Sequence, residues 1–356
     1  MKFVMILHNV HIINDGVKNI SISKDTISKI SLAGNSDGNE MKIYFDNAIA
    51  FAGLINSHDH LDFNLFPKLG NCIYKNYVEW GDDIHKQNKD TINAVLKIPQ
   101  ALRTQWGIYK NLLNGITTVF NHGQYLKIDN TVIDVFQDKN SLHSVRLEKN
   151  WKWKLNDPFN KKEPFVIHIG EGTDETSYTE IDELIRWNKL HKKLIGIHGV
   201  AMNSKQAAAF EAIIWCPDSN FFLLGETAAI NKLKQATKIL FGTDSTVSSD
   251  WNIWNQLRLA RKTKLLTDEE LLASLTTVPA KLRGLNAGIL KENANADIVV
   301  AEKRSGNTFD AFFDINPETI LLIIKNGNIV LFLSIDSWVI NKCNKVSLGI
   351  CIAAKL

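Results

Sequence analysis

The central part of the chain, residues 51–290, alternates short apolar runs with longer amphipathic stretches. Strands that alternate with helices in this way pair in parallel, because each helix carries the chain back across the sheet. The predicted helices cover 90–114, 127–139, 178–191, 204–211, 227–235, 252–263 and 268–275. The predicted strands are Ala50–Asn56, Ile116–Asn121, Leu142–Leu147, Phe165–Ile169, Leu194–Ile197, Ala212–Trp215 and Lys238–Phe241.

The length of the chain favours a closed (β/α)8 TIM-type barrel for this α/β centre. Such a barrel takes about 250 residues, and the chain has 356. The pattern gives seven clear strands, so one barrel strand is either degenerate or formed by 151–155. The alternating Trp-Lys-Trp-Lys of that segment suits a half-buried strand.

Both flanks of the centre are rich in strands and turns. Short apolar runs separated by Asn-Asp-Gly and Gly-Asn-Ser-Asp-Gly fill 1–50, and Asn326-Gly327 is a two-residue hairpin turn near the other end. We therefore predict a composite β-sandwich domain from 1–50 and 291–335, a hydrolase barrel over 51–290, and a C-terminal extension over 336–356. Within that extension, 346–354 is predicted as a buried strand.

The composition argues against several classes of partner. Net charge is +3, from 41 basic and 38 acidic residues, and no block of five like charges occurs. Nucleic-acid and membrane-surface binding therefore lack an electrostatic footprint. No apolar run reaches the ~20 residues of a membrane helix, and the apolar start, which breaks at His8, is too short for a signal peptide. We expect a cytoplasmic protein, for which a homodimer is possible.

The cysteines support that compartment. They are widely spaced apart from the last two, and their spacing matches neither a disulfide scaffold nor a zinc knuckle. We expect reduced thiols at all four positions, which are Cys72, Cys216, Cys343 and Cys351.

Two histidines end the first central strand, in Phe51-Ala-Gly-Leu-Ile-Asn-Ser-His-Asp-His60. Side chains two positions apart on a strand point to the same face, so His58 and His60 would aim two imidazoles at one point. Two neutral nitrogen donors are suited to a divalent metal. A surface turn with two histidines remains the plain alternative for this motif taken alone.

Other strands of the centre end in the same kind of residue. His168 closes an apolar run and Glu171 follows it, His198 closes the next run, and Asp244 follows Phe-Gly-Thr. Active sites of barrel enzymes lie at the carboxyl ends of the strands. The ordered set therefore predicts that these side chains converge with His58 and His60 in one site.

The ordered motifs resemble the amidohydrolase superfamily, in the branch of cytosine and guanine deaminases and of triazine hydrolases (chlorohydrolase-like enzymes). The resemblance spans residues 1 to about 335 and implies a metal-bearing (β/α)8 barrel with a small β-sandwich. The motifs that carry it are Gly53-Leu-Ile-Asn-Ser-His-Asp-His60, Gly115-Ile-Thr-Thr-Val119, His168-Ile-Gly-Glu171, Ile197-His198, Trp215-Cys-Pro-Asp-Ser-Asn220, Phe241-Gly-Thr-Asp-Ser245, Ala296-Asp-Ile-Val-Val and Lys325-Asn-Gly.

The resemblance also implies roles. Glu171 would be the proton shuttle, and His198 would orient the attacking water or polarise the substrate. Asp244 would take a proton from the water while it holds the metal. Zinc is the first choice of metal, with iron or nickel as alternatives. The implied metal ligands are His58, His60, His168 and Asp244.

Several alternatives stay open. A binuclear centre would make His198 a ligand and would need a carboxylated lysine, for which Lys152 or Lys154 could serve. A relative that had lost its ligands would act as a non-catalytic assembly protein, although no ligand position is missing here. Glu171 three residues after His168 favours the mononuclear type.

The sequence as a whole predicts a metal-dependent hydrolase of non-peptide C–N bonds. Deamination of an aminated heterocycle or cyclic amidine through metal-activated water is the first choice. A cyclic amide or imide hydrolase, or a chlorohydrolase-like enzyme with a binuclear centre, is the second. The partner is a small-molecule substrate, and its candidate contacts are His122, Arg146, Asn64 and Trp80.

Overall fold

The structure is a computed structural model that describes residues 4–34, 40–129, 131–160 and 163–333. The predicted C-terminal extension, its strand at 346–354, Cys343 and Cys351 lie outside the described residues. The chain divides into two compact units. The first unit comprises the described residues of Met1–Ile55, Asn111–Thr118 and Pro279–Leu356, and the second comprises those of Asn56–Lys110 and Val119–Val278.

The strands, numbered along the chain, are β1 (Val4–Ile12), β2 (Gly16–Ser23), β3 (Thr26–Leu32), β4 (Met41–Ala52), β5 (Leu54–Asp59), β6 (Ile116–Asn121), β7 (Asp134–Gln137), β8 (Ser141–Ser144), β9 (Phe165–Ile169), β10 (Leu194–His198), β11 (Phe210–Trp215), β12 (Lys238–Phe241), β13 (Ile298–Glu302), β14 (Ile320–Lys325) and β15 (Asn328–Phe332).

The helices are α1 (Tyr77–Gln87), α2 (Lys89–Leu96), α3 (Gln100–Leu113), α4 (Trp151–Leu155), α5 (Glu175–Trp187), α6 (Ser204–Ala207), α7 (Pro217–Leu224), α8 (Ile230–Leu233), α9 (Ile253–Thr263), α10 (Asp268–Ser274), α11 (Thr277–Arg283) and α12 (Thr308–Phe313). Among the described residues, no helix combines the length and the apolar character needed to cross a membrane.

The first unit contains a seven-stranded sheet with the order β15-β14-β13-β4-β1-β2-β3. β1 and β4 pair in parallel, and the other neighbours in this sheet pair antiparallel. Strands from both flanks of the sequence thus share one sheet. Its core is aliphatic and includes fully buried Leu7, Ile20, Ile298 and Leu322.

The second unit contains most of the alternating region. Strands β8 to β12 form a five-stranded parallel sheet in chain order, and β5, β6 and β7 form a separate three-stranded sheet. The backbone N–H groups of Thr243 and Asp244 both donate to the carbonyl oxygen of His58 at 3.1 Å. These bonds bring the end of β12 beside the end of β5.

The predicted strand at 151–155 is wrong, because this segment is the helix α4. Trp151 and Leu155 are buried while the three residues between them are exposed, which is the i, i+4 spacing of a helix face. The predicted helix at 127–139 is also wrong, since β7 occupies its end. Phe120 of β6 and Phe136 of β7 stack with ring centroids 5.1 Å apart. With β7, the run β5–β12 holds eight strands.

Gly107 in α3 allows this helix to pack closely against the backbone of Leu61. A Cβ atom at Gly107 would clash with the carbonyl oxygen of Leu61, which directly follows the candidate ligand His60. We expect Gly107→Ala to lower the free energy of unfolding by about 1–3 kcal/mol, since backbone atoms must shift. Urea denaturation would measure this change.

The matched control is Gly81→Ala in α1, where an added Cβ would meet nothing within 4 Å. Alanine favours a helix over glycine by about 1 kcal/mol. This control is therefore expected to be stabilised. Equal stability changes in the two variants would contradict the packing argument.

Candidate metal centre and active-site cavity

The two histidines at the end of β5 point the same way, as strand alternation requires. His58 is the fifth residue of β5, and His60 directly follows the strand. Both are buried, and their ring centroids lie 4.8 Å apart. The end of β5 therefore presents two imidazoles to one point.

A third imidazole comes from β9. The Nε2 atom of His168 lies 3.2 Å from Nε2 of His58. Nitrogen atoms of His58, His60 and His168 all lie within 4.8 Å of one another. Two ligands at Zn–N distances in a tetrahedral site are ~3.4 Å apart. The three side chains therefore have the spacing of a metal centre.

Hydrogen bonds orient two of these rings. Nδ1 of His60 lies 3.0 Å from the carbonyl oxygen of His122, and Nδ1 of His168 lies 2.8 Å from that of His143. A carbonyl oxygen only accepts, so each Nδ1 is the donor and each Nε2 keeps its lone pair. A metal-ligating histidine needs this tautomer.

Burial also keeps the rings of His58 and His168 neutral. It lowers the pKa of His58 to about 4 and that of His168 well below the ordinary value. Neutral imidazole is the form that binds a metal. The chemistry of the donor set therefore fits a divalent cation.

Asp244, in the loop after β12, supplies a carboxylate to the same point. Its Oδ1 lies 3.7 Å from Nε2 of His58 and 3.7 Å from Nε2 of His60. Its Oδ2 accepts hydrogen bonds of 2.8 Å from the hydroxyls of Ser219 and Ser248. Burial alone would raise the pKa of Asp244, but the neighbouring imidazoles, first of all that of His58, hold it well below its usual range.

Glu171 and His198 form a second pair beside this point. Oε1 of Glu171 lies 3.5 Å from Nε2 of His198, whose Nδ1 faces the side-chain oxygen of Asn220 at 2.9 Å. Burial, with the negative charges of Asp244 and Glu180, raises the pKa of Glu171 well above its usual range. A carboxyl group that keeps its proton at neutral pH can act as a general acid.

A cavity of about 310 Å³ opens on these groups. The described residues that line it are His60, Phe63, Phe66, Leu69, Tyr77, Trp80, Gly81, Ile84, His85, Ile92, Leu96, His143, Leu147, His168, Glu171, His198, Asp244, Ser245, Val247 and Ser248. The predicted catalytic and ligand residues that lie on this lining are His60, His168, Glu171, His198 and Asp244. His58 lies behind it, 1% exposed.

Of the four predicted substrate contacts, Trp80 lines the cavity and the other three do not. Trp80 packs through its ring and donates from Nε1 to the carbonyl oxygen of Leu69 at 2.7 Å. Whether it contacts substrate stays a prediction.

The other three side chains are engaged with protein groups, and their contact with substrate stays a prediction. Asn64 is buried and donates to Asp59 at 2.8 Å. Arg146 bonds to Glu180 at 2.9 Å. The Nε2 atom of His122 faces the carbonyl oxygen of Leu142 at 3.1 Å, while the His122 backbone holds the ring of His60.

The lysines considered for a binuclear centre are also remote from it. Lys152 and Lys154 lie on the exposed side of α4, where Lys154 pairs with Glu148 and Lys152 lies 4.4 Å from the ring centroid of Trp187. No lysine occurs among the described residues that line the cavity. Neither Lys152 nor Lys154 is therefore placed to bridge two ions at this cavity.

Sequence reasoning missed a histidine of the cavity lining, His143. It lies on β8, lines the cavity, and holds His168 through its carbonyl oxygen. Burial lowers the pKa of His143 to about 4. The available signal was its position in a strand next to β9. His143 lies within that strand and not after its last residue, where site residues are expected.

A buried ion pair under the candidate ligands was also missed. Asp59 lies between the two histidines and points to the opposite face of β5, where its Oδ2 is 3.0 Å from Nζ of Lys110 in α3. Lys110 also donates to Asn64 at 2.9 Å, and it lies 3.5 Å from the carbonyl oxygen of Asp244. Lys110 thus links the segments that carry His58, His60 and Asp244.

The chain belongs to the amidohydrolase family, whose sequence profile matches residues 153–330, half of the chain. This membership goes with a TIM-barrel-type α/β fold. It confirms the family that the motifs predicted.

Two curated relatives are named as deaminases of adenosine derivatives. A 5-methylthioadenosine/S-adenosylhomocysteine deaminase of Pyrococcus furiosus is 28% identical over 183 residues, 45% of this chain and 42% of that enzyme. The chain thus spans less than half the length of this relative. A 5'-deoxyadenosine deaminase of Methanococcus aeolicus is 25% identical over 366 residues, 84% of this chain and 85% of that enzyme.

Solved structures share the fold. A triazine hydrolase from Arthrobacter aurescens superposes with a TM-score of 0.72 at 16% identity, covering 93% of this chain and 95% of that one. An adenosine deaminase from Xanthomonas campestris with bound zinc gives a TM-score of 0.72 at 14% identity, covering 93% of both chains.

The ion pair under the ligands gives a stability prediction. Lys110→Met would leave Asp59 as a buried, uncompensated carboxylate, so we expect the free energy of unfolding to fall by about 3–5 kcal/mol. The double variant Asp59→Asn with Lys110→Met removes both charges and should recover much of this loss. Chemical denaturation of both variants would measure it.

An exposed pair serves as the control. Arg186 and Glu183 lie 3.3 Å apart with side chains 68% and 45% exposed. Arg186→Met should change stability by less than about 1 kcal/mol, since water screens such pairs. A loss in Lys110→Met no larger than in this control would refute the argument.

Proposed function

We propose that this chain is a metal-dependent deaminase of aminated heterocycles, with adenosine derivatives as the substrate class. The observation that carries the proposal is the convergence of three imidazoles and Asp244, beside the Glu171–His198 pair, on one cavity. The names of the two curated relatives support the choice of substrate.

The proposed ligands are His58, His60, His168 and Asp244, and the proposed ion is one zinc. Zinc held by these residues would lower the pKa of water from 15.7 to about 7, and hydroxide would then be available at neutral pH. Asp244 is placed to accept a proton at Oδ1, because its Oδ2 is occupied by two serine hydroxyls.

The remaining proton transfers fall to Glu171. Its raised pKa lets it deliver a proton to the ring nitrogen next to the carbon under attack. When the C–N bond breaks, Glu171 regains a proton from the hydroxyl on that carbon, and the proton held by Asp244 goes to the leaving amine. His198 donates from Nδ1 to Asn220, which leaves Nε2 facing the cavity. There it can accept a hydrogen bond from the attacking water and orient it toward the ring carbon. The products are the hydroxylated heterocycle and ammonia.

Other parts of the proposal concern organisation and setting. We propose the composite β-sandwich domain (1–50 and 291–335), the barrel domain (51–290) and the extension (336–356) as the domain boundaries. A cytoplasmic location, the lack of a nucleic-acid partner and a homodimer stay predictions. Size-exclusion chromatography with light scattering tests the homodimer.

The metal assignment predicts the metal content of the protein. Elemental analysis of the purified chain should find one zinc, and dialysis against a chelator should lower the melting temperature, since the ion binds the folded state. His168→Ala should lose the zinc. The control His85→Ala, changed at an exposed residue of α1, should keep it. Retention of zinc by His168→Ala would refute the ligand set.

The shuttle assignment predicts a separation of turnover from metal binding. Glu171→Gln should lower kcat for release of ammonia from adenosine derivatives by at least ~10³-fold, because the proton transfers are lost. Its zinc content should stay that of the wild type.

The control is Glu175→Gln, at an exposed acid in the first turn of α5, which should keep normal turnover. Full activity in Glu171→Gln would disprove the assignment. Zinc-loaded wild type that releases no ammonia from any adenosine derivative would refute the proposed function.

A further inference from the structure

The cavity has two chemically different ends. One end holds the candidate metal centre and the Glu171–His198 pair. The other end is a hydrophobic cluster, called here the apolar wall, that α1 and α2 form with the loops after β5 and β12. It consists of buried Phe66, Leu69, Ile84 and Val247 and of partly buried Trp80 and Ile92.

Charged groups are confined to the first end. Among the described residues that line the cavity, the carboxyl groups are Glu171 and Asp244, and neither lysine nor arginine occurs. The ring of His143 belongs to the first end, since its centroid lies 4.8 Å from that of His168. His85 is exposed at the rim.

A basic residue behind the lining is already neutralised. The Arg146 guanidinium lies 5.6 Å from the ring centroid of Tyr77, on α1. It bonds to Glu180 at 2.9 Å and to Ser177 at 3.0 Å, with Asp174 at 3.5 Å. It is therefore committed to two carboxylates and does not offer its charge to a ligand in the cavity.

Resting on the proposed function, we propose that the substrate carries a small, uncharged, apolar substituent, and that the apolar wall selects it. A charged amino-acid end placed on this wall would lose its hydration without gaining a partner. A volume of about 310 Å³ is also at the lower end of the range for small-molecule sites, about 300–1,000 Å³. The wall therefore favours a methylthio or deoxy group over a homocysteine group.

The test uses two nucleosides that share adenine, ribose and a thioether sulfur. 5'-Methylthioadenosine ends in a methyl group, and S-adenosylhomocysteine ends in a charged amino acid. We expect kcat/KM for ammonia release to favour 5'-methylthioadenosine by about 10²-fold. Equal values, or a preference for S-adenosylhomocysteine, would overturn the inference and leave the deaminase proposal intact.

A binding measurement keeps the two proposals separable. The zinc-loaded Glu171→Gln variant should bind 5'-methylthioadenosine at least ~10-fold more tightly than S-adenosylhomocysteine by calorimetry. This binding preference supports the inference even if the wild type deaminates neither nucleoside. Failure to deaminate either nucleoside would refute only the proposed function. Equal affinities, or no binding of either nucleoside, would overturn the inference.

A variant at Leu96, which lines the cavity four residues after the wall residue Ile92, tests this selection. Leu96 ends α2, lines the cavity and is 48% exposed, so a long polar side chain fits there without burial. Leu96→Arg should raise the kcat/KM of S-adenosylhomocysteine relative to 5'-methylthioadenosine by about tenfold, because it supplies a cation for the carboxylate. The neutral control Leu96→Gln should keep the wild-type ratio. An unchanged ratio in Leu96→Arg would refute selection by this wall.

Discussion

The site depends on keeping several imidazoles buried, neutral and aimed at one point. Burial removes the charge from His58 and His168, and backbone carbonyls fix the tautomers of His60 and His168. A cluster of neutral nitrogen donors packed this closely is costly for a core unless a cation occupies it. The close spacing of these nitrogens beside a carboxylate, Asp244, is therefore the strongest argument for a metal centre in this fold.

The arrangement under the ligands follows from the same strand. Alternation along β5 sends His58 and His60 to one face and Asp59 to the other. The carboxylate of Asp59 is fully buried and would be prohibitive there without the ammonium group of Lys110. The ion pair then has a second use, because Lys110 also reaches the backbone of Asp244. Lys110 of α3 thus both stabilises the fold and helps to position the segments that carry the candidate ligands.

The proposals separate chemistry from selectivity along the cavity. The end at the candidate metal centre holds the groups proposed to accept, hold and return protons. The other end is a hydrophobic cluster without lysine or arginine among its described lining residues. Loops and added helices, rather than strand ends, would contact the substituent of the substrate. Proteins of one family are therefore expected to differ in this part of the pocket even where they share a reaction.

The sequence alone determined the alternation of strands and helices, the family, and the convergence of His58, His60, His168 and Asp244, because strand ends and two-residue periodicity are local properties. The prediction of secondary structure failed at 127–155, where the elements are too short to give a clear periodic signal. There the Trp-Lys-Trp-Lys pattern of a short helix resembles the alternation of a strand. Only the tertiary structure decided which polar residues face the cavity. Asn64, Arg146 and His122 are engaged elsewhere, and the partner of Asp59 lies on a distant helix, since long-range contacts leave no mark on local sequence.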